Sequence, residues 1–359
     1  MLRFSLSASC LLCFLIYSTF TSTSLSAQDI RFTQFYASPL TLNPAMTGLM
    51  DGKFRVGAIY RDQWRSVLEQ PYTTFSAAFD VKFDLSLHKR NKDFVGVGLM
   101  FYNDKVNSID FITNQLALSG AYHKSLTQDN TQYLSLGIQA ALSQRSLNYE
   151  NIFFGDQFNG IDGYTRATDE ILPQNNFGFS DYAVGLSYLI SPKRNTSFMA
   201  AGSIHHFLKP QFSFYKRSDT EVYANITDNR LNIKYSAQFS AQFPIAQQVS
   251  LLPRLLFAVQ GNHTDVNVGS NIKFALSNTS STSLQLGTWL RPALNGFNSV
   301  SLDALVLLLG IEYQSLLIGM SYEANLRSLS QSRNTQGAFE ISLTYMGEYD
   351  SEVIMCPTF

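Results

Sequence analysis

Apolar and polar side chains alternate with a period of two along most of this chain, and that pattern restricts the fold more than any other feature. Between Ile233 and Phe243, Ile233, Tyr235, Ala237, Phe239, Ala241 and Phe243 point one way, while Lys234, Ser236, Gln238, Ser240 and Gln242 point the other. Successive side chains of a strand project to opposite faces, so this segment reads as a strand with one apolar and one wet face. Phe54, Val56, Ala58 and Tyr60 alternate in the same way with Arg55, Gly57, Ile59 and Arg61. Phe75 to Phe83, Val266 to Phe274 and Phe339 to Tyr345 repeat it. Further segments at 94–103, 113–124, 132–145, 180–190, 198–206, 250–260, 282–291, 299–313 and 315–325 bring the expected total to about fourteen strands.

Two architectures bury such faces: a soluble sandwich that packs them together, or a membrane barrel that turns them outward to lipid and lines its interior with the polar faces. Strand length separates the two. Many of these segments run to ten residues or more, whereas soluble strands average about 5–6 and a tilted membrane strand needs about 9–11. The connections agree. Long gaps follow odd-numbered strands, notably 146–179 and 207–232, and short ones follow even-numbered strands, as at Pro192-Lys193-Arg194-Asn195, Pro244 to Gln248 and Tyr313 to Ser315. The short gap 261–263 departs from that tendency. Bacterial barrels pair short periplasmic turns with longer outer loops. The expected fold is therefore all-β, an antiparallel transmembrane β-barrel of about 14 strands.

One strand is apolar on both faces. In Leu302 to Ile311, Leu305, Leu307, Leu309 and Ile311 suit lipid, which turns Ala304, Val306 and Leu308 inward. A wholly water-filled lumen does not suit that lining, so the expectation is that something packs there, the N-terminal segment 28–52 or a folded-in loop; the alternative is a strand covered on both sides by a neighbouring subunit.

Composition supports a lipid-facing surface without proving it. Charged residues make up 15% of the 359, aromatics 13%, with 28 Phe and 18 Tyr, and the formal net charge is −1. Charge is well below the ~25% of ordinary soluble chains, and the near-zero balance argues against a nucleic-acid partner held by bulk charge. At the start, Arg3, the apolar run Leu11 to Phe20 and the small residues before Gln28 read as a cleaved signal peptide over 1–27. Cys10 and Cys13 lie within it, leaving Cys356 alone, so neither an internal disulfide nor a cysteine zinc site is expected. The expected division is signal peptide 1–27, a periplasmic or plugging segment 28–52, the barrel 53–347 and a tail 348–359.

Catalytic motifs are scarce. His88, His123, His205, His206 and His263 show no helical metal spacing, and His205 and His206 are expected on opposite faces of one strand. No nucleophile elbow, phosphate loop or dinucleotide fingerprint occurs. His123, with Gln115 and Ser119 on the same polar face, gives only a faint parallel to barrel enzymes that use Ser and His at the outer rim. No enzymatic activity, cofactor or metal is expected. Arg55, Arg61, Asp80, Lys82, Lys273, Arg291 and Glu340 fall on polar faces and are expected to form internal ion pairs.

The stretch Gln28 to Tyr36, then Pro39-Leu40-Thr41-Leu42-Asn43-Pro44-Ala45 and Gly48, followed by Tyr60-Arg61-Asp62-Gln63-Trp64, resembles the PorP/SprF family, Bacteroidetes outer-membrane proteins of the type IX secretion and gliding system. His206-Phe207-Leu208-Lys209-Pro210, Leu290-Arg291-Pro292, Asp303-Ala304, Gly319-Met320-Ser321-Tyr322-Glu323, Gly337 to Glu340 and the Cys356-Pro357-Thr358-Phe359 ending extend the resemblance through the chain. Phe207 replaces a usual Leu, and Leu290 departs from an expected Tyr. The resemblance implies a non-enzymatic outer-membrane protein that works with other type IX components and binds the C-terminal domain of an exported surface protein or adhesin, for export or surface attachment. A passive channel or uptake porin is the alternative. The matched positions Asn43, Pro44, Ala45, Gly48, Tyr60, Arg61, Gln63, Trp64, His206, Pro210, Arg291, Asp303, Gly319, Ser321 and Tyr322 carry over as candidates for structural or partner-binding roles.

Overall fold

An isolated amphipathic strand leaves its backbone groups unpaired, and in lipid only closure of the sheet on itself removes both edges. This chain takes that solution. The computed structural model describes residues 29–66, 68–85, 92–193, 195–214, 230–276, 282–294, 300–326 and 337–348. The expected signal peptide and most of the tail, with Cys356, lie outside the described residues.

Fourteen strands occur among the described residues: β1 Phe54–Gln63, β2 Tyr72–Asp84, β3 Phe94–Val106, β4 Phe111–Ser125, β5 Gln132–Leu147, β6 Asn176–Lys193, β7 Thr196–His205, β8 Lys234–Ala246, β9 Val249–Gln260, β10 His263–Ala275, β11 Thr282–Leu294, β12 Val300–Tyr313, β13 Leu316–Asn325 and β14 Gly337–Gly347. Each pairs antiparallel with its sequence neighbours, and β1 pairs with β14 from Phe54↔Gly347 to Gln63↔Ala338, which closes the barrel. Lengths run from 10 residues in β1 to 18 in β6, enough to cross a bilayer at a tilt.

The alternation sorts by face as expected. On β4 and β5, Leu118, Leu136, Ile138 and Leu142 are 59–68% exposed, while Ser119, Gln139 and Ser143 between them are buried. Exposed tyrosines gather near both rims. Tyr235 and Tyr322 lie toward the end carrying the long connections 148–175 and 206–233, and Tyr122, Tyr313 and Tyr345 lie toward the short-turn end. Two aromatic girdles flanking an apolar band match a membrane barrel.

Two details differ from the alternation. β8 begins at Lys234, and Ala241, opposite Phe198, is buried although the register runs unbroken past it to Phe243↔Leu251. His205 ends β7 and His206 follows with φ +58°, a left-handed conformation that swings its ring to the same side as His205. Both imidazoles are buried, so the expectation of opposite faces is corrected: the strand period stops applying one residue too early.

Candidate functional site

Residues 29–52 thread through the barrel interior, and most of the family-motif positions meet along their path. Proline and small polar residues break the segment into three single 3₁₀ turns, Phe35–Ala37, Pro39–Thr41 and Pro44–Met46. Such turns leave many backbone groups without local partners, and inward-facing side chains of the wall supply them.

The segment begins near the long-loop end. Asp29 contacts His206 Nε2 at 2.7 Å and Lys234 Nζ at 3.2 Å, and Gln260 donates to it at 3.2 Å. His206 also lies 2.8 Å from Asp181 through Nδ1. Burial opposes charging of either partner, but the surrounding opposite charges outweigh it. Asp29 is held well below the usual carboxylate range by Lys234 and His206, and His206 is raised to about 9 by Asp29 and Asp181. Arg31 pairs with Asp265 at 3.2 Å.

Farther along, Thr33 and Gln34 donate their backbone N–H groups to the two oxygens of Glu340, at 2.7 and 2.9 Å. Arg61 pairs with Glu340 at 2.5 Å and with Glu323 at 3.1 Å, and it donates to Thr33 Oγ1. Arg291 pairs with Glu323, and Gln63 accepts from Arg61. The Gln34 amide donates to Ser321 and accepts from Ser342, beside Gly319. Strands β1, β13 and β14 are thus tied to one stretch of the segment, and β11 is joined through Arg291, by a charged network buried in the interior.

An apolar layer follows. Phe35 packs with Trp289, Leu256 and Val306, and Tyr36 stacks on Trp289 beneath the guanidinium of Arg254. On β12, inward-facing Val306 thus packs against Phe35 of the chain's own N-terminal segment. Leu40, fully buried, packs on Met100, Ala117 and Ala141.

Asn43 accepts from the backbone of Ala45, capping the third turn, and donates to the carbonyls of Leu186 and Gly202. Here the segment touches the wall backbone directly. A Cβ at Gly185 would lie 1.9 Å from Asn43 Oδ1, and one at Gly137 would lie 2.3 Å from the nitrogen of Ala45. Thr47 donates to Ser119 at 2.9 Å, and its carbonyl accepts from His123, whose other ring nitrogen meets Ser135. His123 is fully buried, so the rim-enzyme parallel finds no exposed base there. Gly48, at φ +76°, turns the chain and donates to Asp80, which also pairs with Arg55. Lys53 then leads into β1 at the short-turn end.

The expected internal ion pairs are present: Arg55 with Asp80, Arg61 with Glu340, Lys273 with Glu312 and Arg291 with Glu323. Lys82 instead lies over the ring of Phe94. Of the motif positions, Asn43, Pro44, Ala45, Gly48, Arg61, Gln63, His206, Arg291, Gly319 and Ser321 converge on the segment. Others stand apart. Tyr60 and Tyr322 sit on the outer face, Trp64 follows β1 at φ +65° with its ring against Tyr72, Pro210 lies in the connection after β7, and Asp303 accepts from the backbone of Leu326. Asp29, Thr33, Gln34 and Glu323, outside the candidate positions, complete the network with Glu340, which was expected inside only as an ion-pair partner. Their signal in the sequence was acidic and amide side chains at inward strand positions or in the segment itself. Among the described residues, no cluster of three or more His, Cys, Asp or Glu could hold a metal ion.

No curated relative matches the chain. Among solved structures, it is similar to a deletion mutant of the TodX monoaromatic hydrocarbon channel, at 10% identity and TM-score 0.49, with 87% of this chain and 94% of that one covered. It is also similar to a Pseudomonas aeruginosa FadL homologue, at 9% identity and TM-score 0.46, covering 85% and 92%. A family model described as "Type IX secretion system membrane protein PorP/SprF" matches residues 24–345, a span holding the luminal segment and all but the last residues of β14. The chain belongs to that family.

Proposed function

We propose that this outer-membrane barrel of the type IX secretion system binds the C-terminal domain of an exported surface protein or adhesin at its long-loop end, and that residues 28–52 close its lumen. The observation that carries the reading is the luminal segment. Its contacts reach nearly every strand, and two apolar layers around Phe35 and Leu40 occupy the middle of the interior. A lumen filled this way favours a docking and anchoring role over passage of solutes. The connections 148–175 and 206–233 supply surface at one end, while the opposite end offers mostly short turns. Docking of an exported domain suits that asymmetry.

The test pairs two measurements on the full-length protein in detergent or lipid. C-terminal domains of proteins exported by the same cell should be retained by the immobilised barrel, and shortening 148–175 should abolish retention while the barrel remains folded. In planar bilayers the intact protein should show no stable open conductance. Failure to retain any such domain, together with a steady open pore, would leave the passive-channel reading standing instead.

A further inference from the structure

The luminal segment leaves one part of the long-loop end uncovered, on the side of β4, β5 and β6. Arg145 points inward there, near the end of β5, between Thr113 and Phe177 in the register. Its guanidinium lies 4.5 Å from the ring centre of Phe212, 5.7 Å from Phe111 and 5.9 Å from Phe179. Phe214 closes the cage, edge-on to Phe177 at 4.8 Å and to Phe111 at 6.2 Å. Arg145 forms no ion pair among the described residues, and its buried Nε has no hydrogen-bond partner. Every other arginine of the interior wall either pairs with a carboxylate or, like Arg254, stacks on the segment itself. Arg145 does neither. It lines an open cavity of about 420 Å³ whose other walls include Leu147, Ile152, Phe154 and Leu172.

A partly desolvated cation among apolar rings gains modestly from the rings and retains unsatisfied donors. A guanidinium is a fork that fits a carboxylate, and water exclusion by the phenyl rings strengthens that pairing. We infer that the Arg145 cage is a binding site for a carboxylate carried on an apolar body. Two sources share that chemistry: the free C-terminus of an apolar peptide and the head of an acyl chain. The inference stands apart from docking of a whole exported domain, because its ligand is small and its site lies inside the rim.

The test is calorimetric titration of the full-length protein in a non-ionic detergent with three probes: acetyl-Leu-Phe bearing a free carboxylate, the same peptide as its C-terminal amide, and dodecanoate. Saturable binding of at least one carboxylate is expected, with the amide at least tenfold weaker. Arg145→Gln should weaken the carboxylate tenfold or more, about 1.4 kcal/mol, and leave the amide unchanged, while Arg145→Lys should retain part of the affinity. Phe212→Ala should weaken carboxylate and amide alike. Preference for the peptide assigns the site to a chain terminus, and preference for dodecanoate assigns it to an acyl chain. Absence of saturable binding by either carboxylate, or equal binding by Arg145→Gln protein that still shows heat-modifiable migration, overturns the inference. Domain retention by the long loops is a separate readout, so either result can fail alone.

Discussion

Arg61 and Glu340 are direct partners across the seam where the first strand meets the last, and their ion pair is buried on the lumen side. The same carboxylate accepts the backbone N–H groups of Thr33 and Gln34, so barrel closure and seating of the N-terminal segment share one anion. A buried carboxylate is tolerable only when its lone pairs are filled, and here three donors fill them.

Removing one member of that pair should therefore be costly. Glu340→Gln or Arg61→Ala leaves an uncompensated charge beside Glu323 or Arg291, with an expected loss of about 3–5 kcal/mol. Urea midpoints of the detergent-folded barrel measure it. Arg61→Ala combined with Glu340→Gln should cost less than the sum of the two single changes. Additive losses would show that the two residues do not act as a pair.

Close approach of segment and wall gives a second expectation. Gly185→Ala and Gly137→Ala place a methyl group against Asn43 and Ala45. Overpacking of this kind costs roughly 1–3 kcal/mol. The barrel should still assemble, with residues 29–52 becoming cleavable by added protease. Gly155→Ala meets nothing within 4 Å and should behave as the natural protein. Protection unchanged in both wall variants would count against the close approach.

The strands were legible because lipid on one side and polar contacts on the other impose a period of two that composition cannot hide. Leu136 and Ile138 against Ser135 and Gln139 show it without reference to any partner. The segment's path was not legible. Gln34 and Thr33 carry no periodicity, and what fixes them is Glu340, some three hundred residues away, whose inward position reveals polarity but not its partner. Val306 and Ala304 signalled that something covers β12, yet not that Phe35 does so. His206 was misplaced because a single left-handed residue cancels the strand period, and nothing in the residue type announces it.

The tie between Asp29 and His206 should depend on pH. His206 has a folded pKa raised to about 9, above the ~6.5 of a free histidine, so its contribution is fully present below about pH 6.5 and fades as pH rises through 9. Asp29 is shifted downward, so its contribution is present above the ordinary carboxylate range and fades only in acid. Protease access to the segment should increase between pH 7 and 10, and His206→Gln should remove that step. A flat profile in the natural protein would contradict the ion pair.

The outer face of β8 should not accept a charge. Phe239 is 45% exposed on the outer wall, and a cation there costs roughly 2–4 kcal/mol at mid-bilayer depth. Phe239→Arg should sharply reduce assembled barrel, whereas Gln238→Ser on the lumen side should assemble. Equal assembly of the two would mean that Phe239 does not face lipid.

The most direct measurement of the account asks whether the N-terminal segment lies inside the barrel in the outer membrane. Thr47 and Ser119 face each other with their hydroxyls 2.9 Å apart, one on the segment and one on β4. Short side chains at that distance suit a disulfide. Thr47→Cys with Ser119→Cys, in a Cys356→Ser background, should form an intramolecular bond in purified outer membranes, detected by peptide mass. The cross-linked protein should retain heat-modifiable migration. Two free thiols, both open to a maleimide reagent while the barrel remains folded, would place the segment outside the lumen and contradict the account.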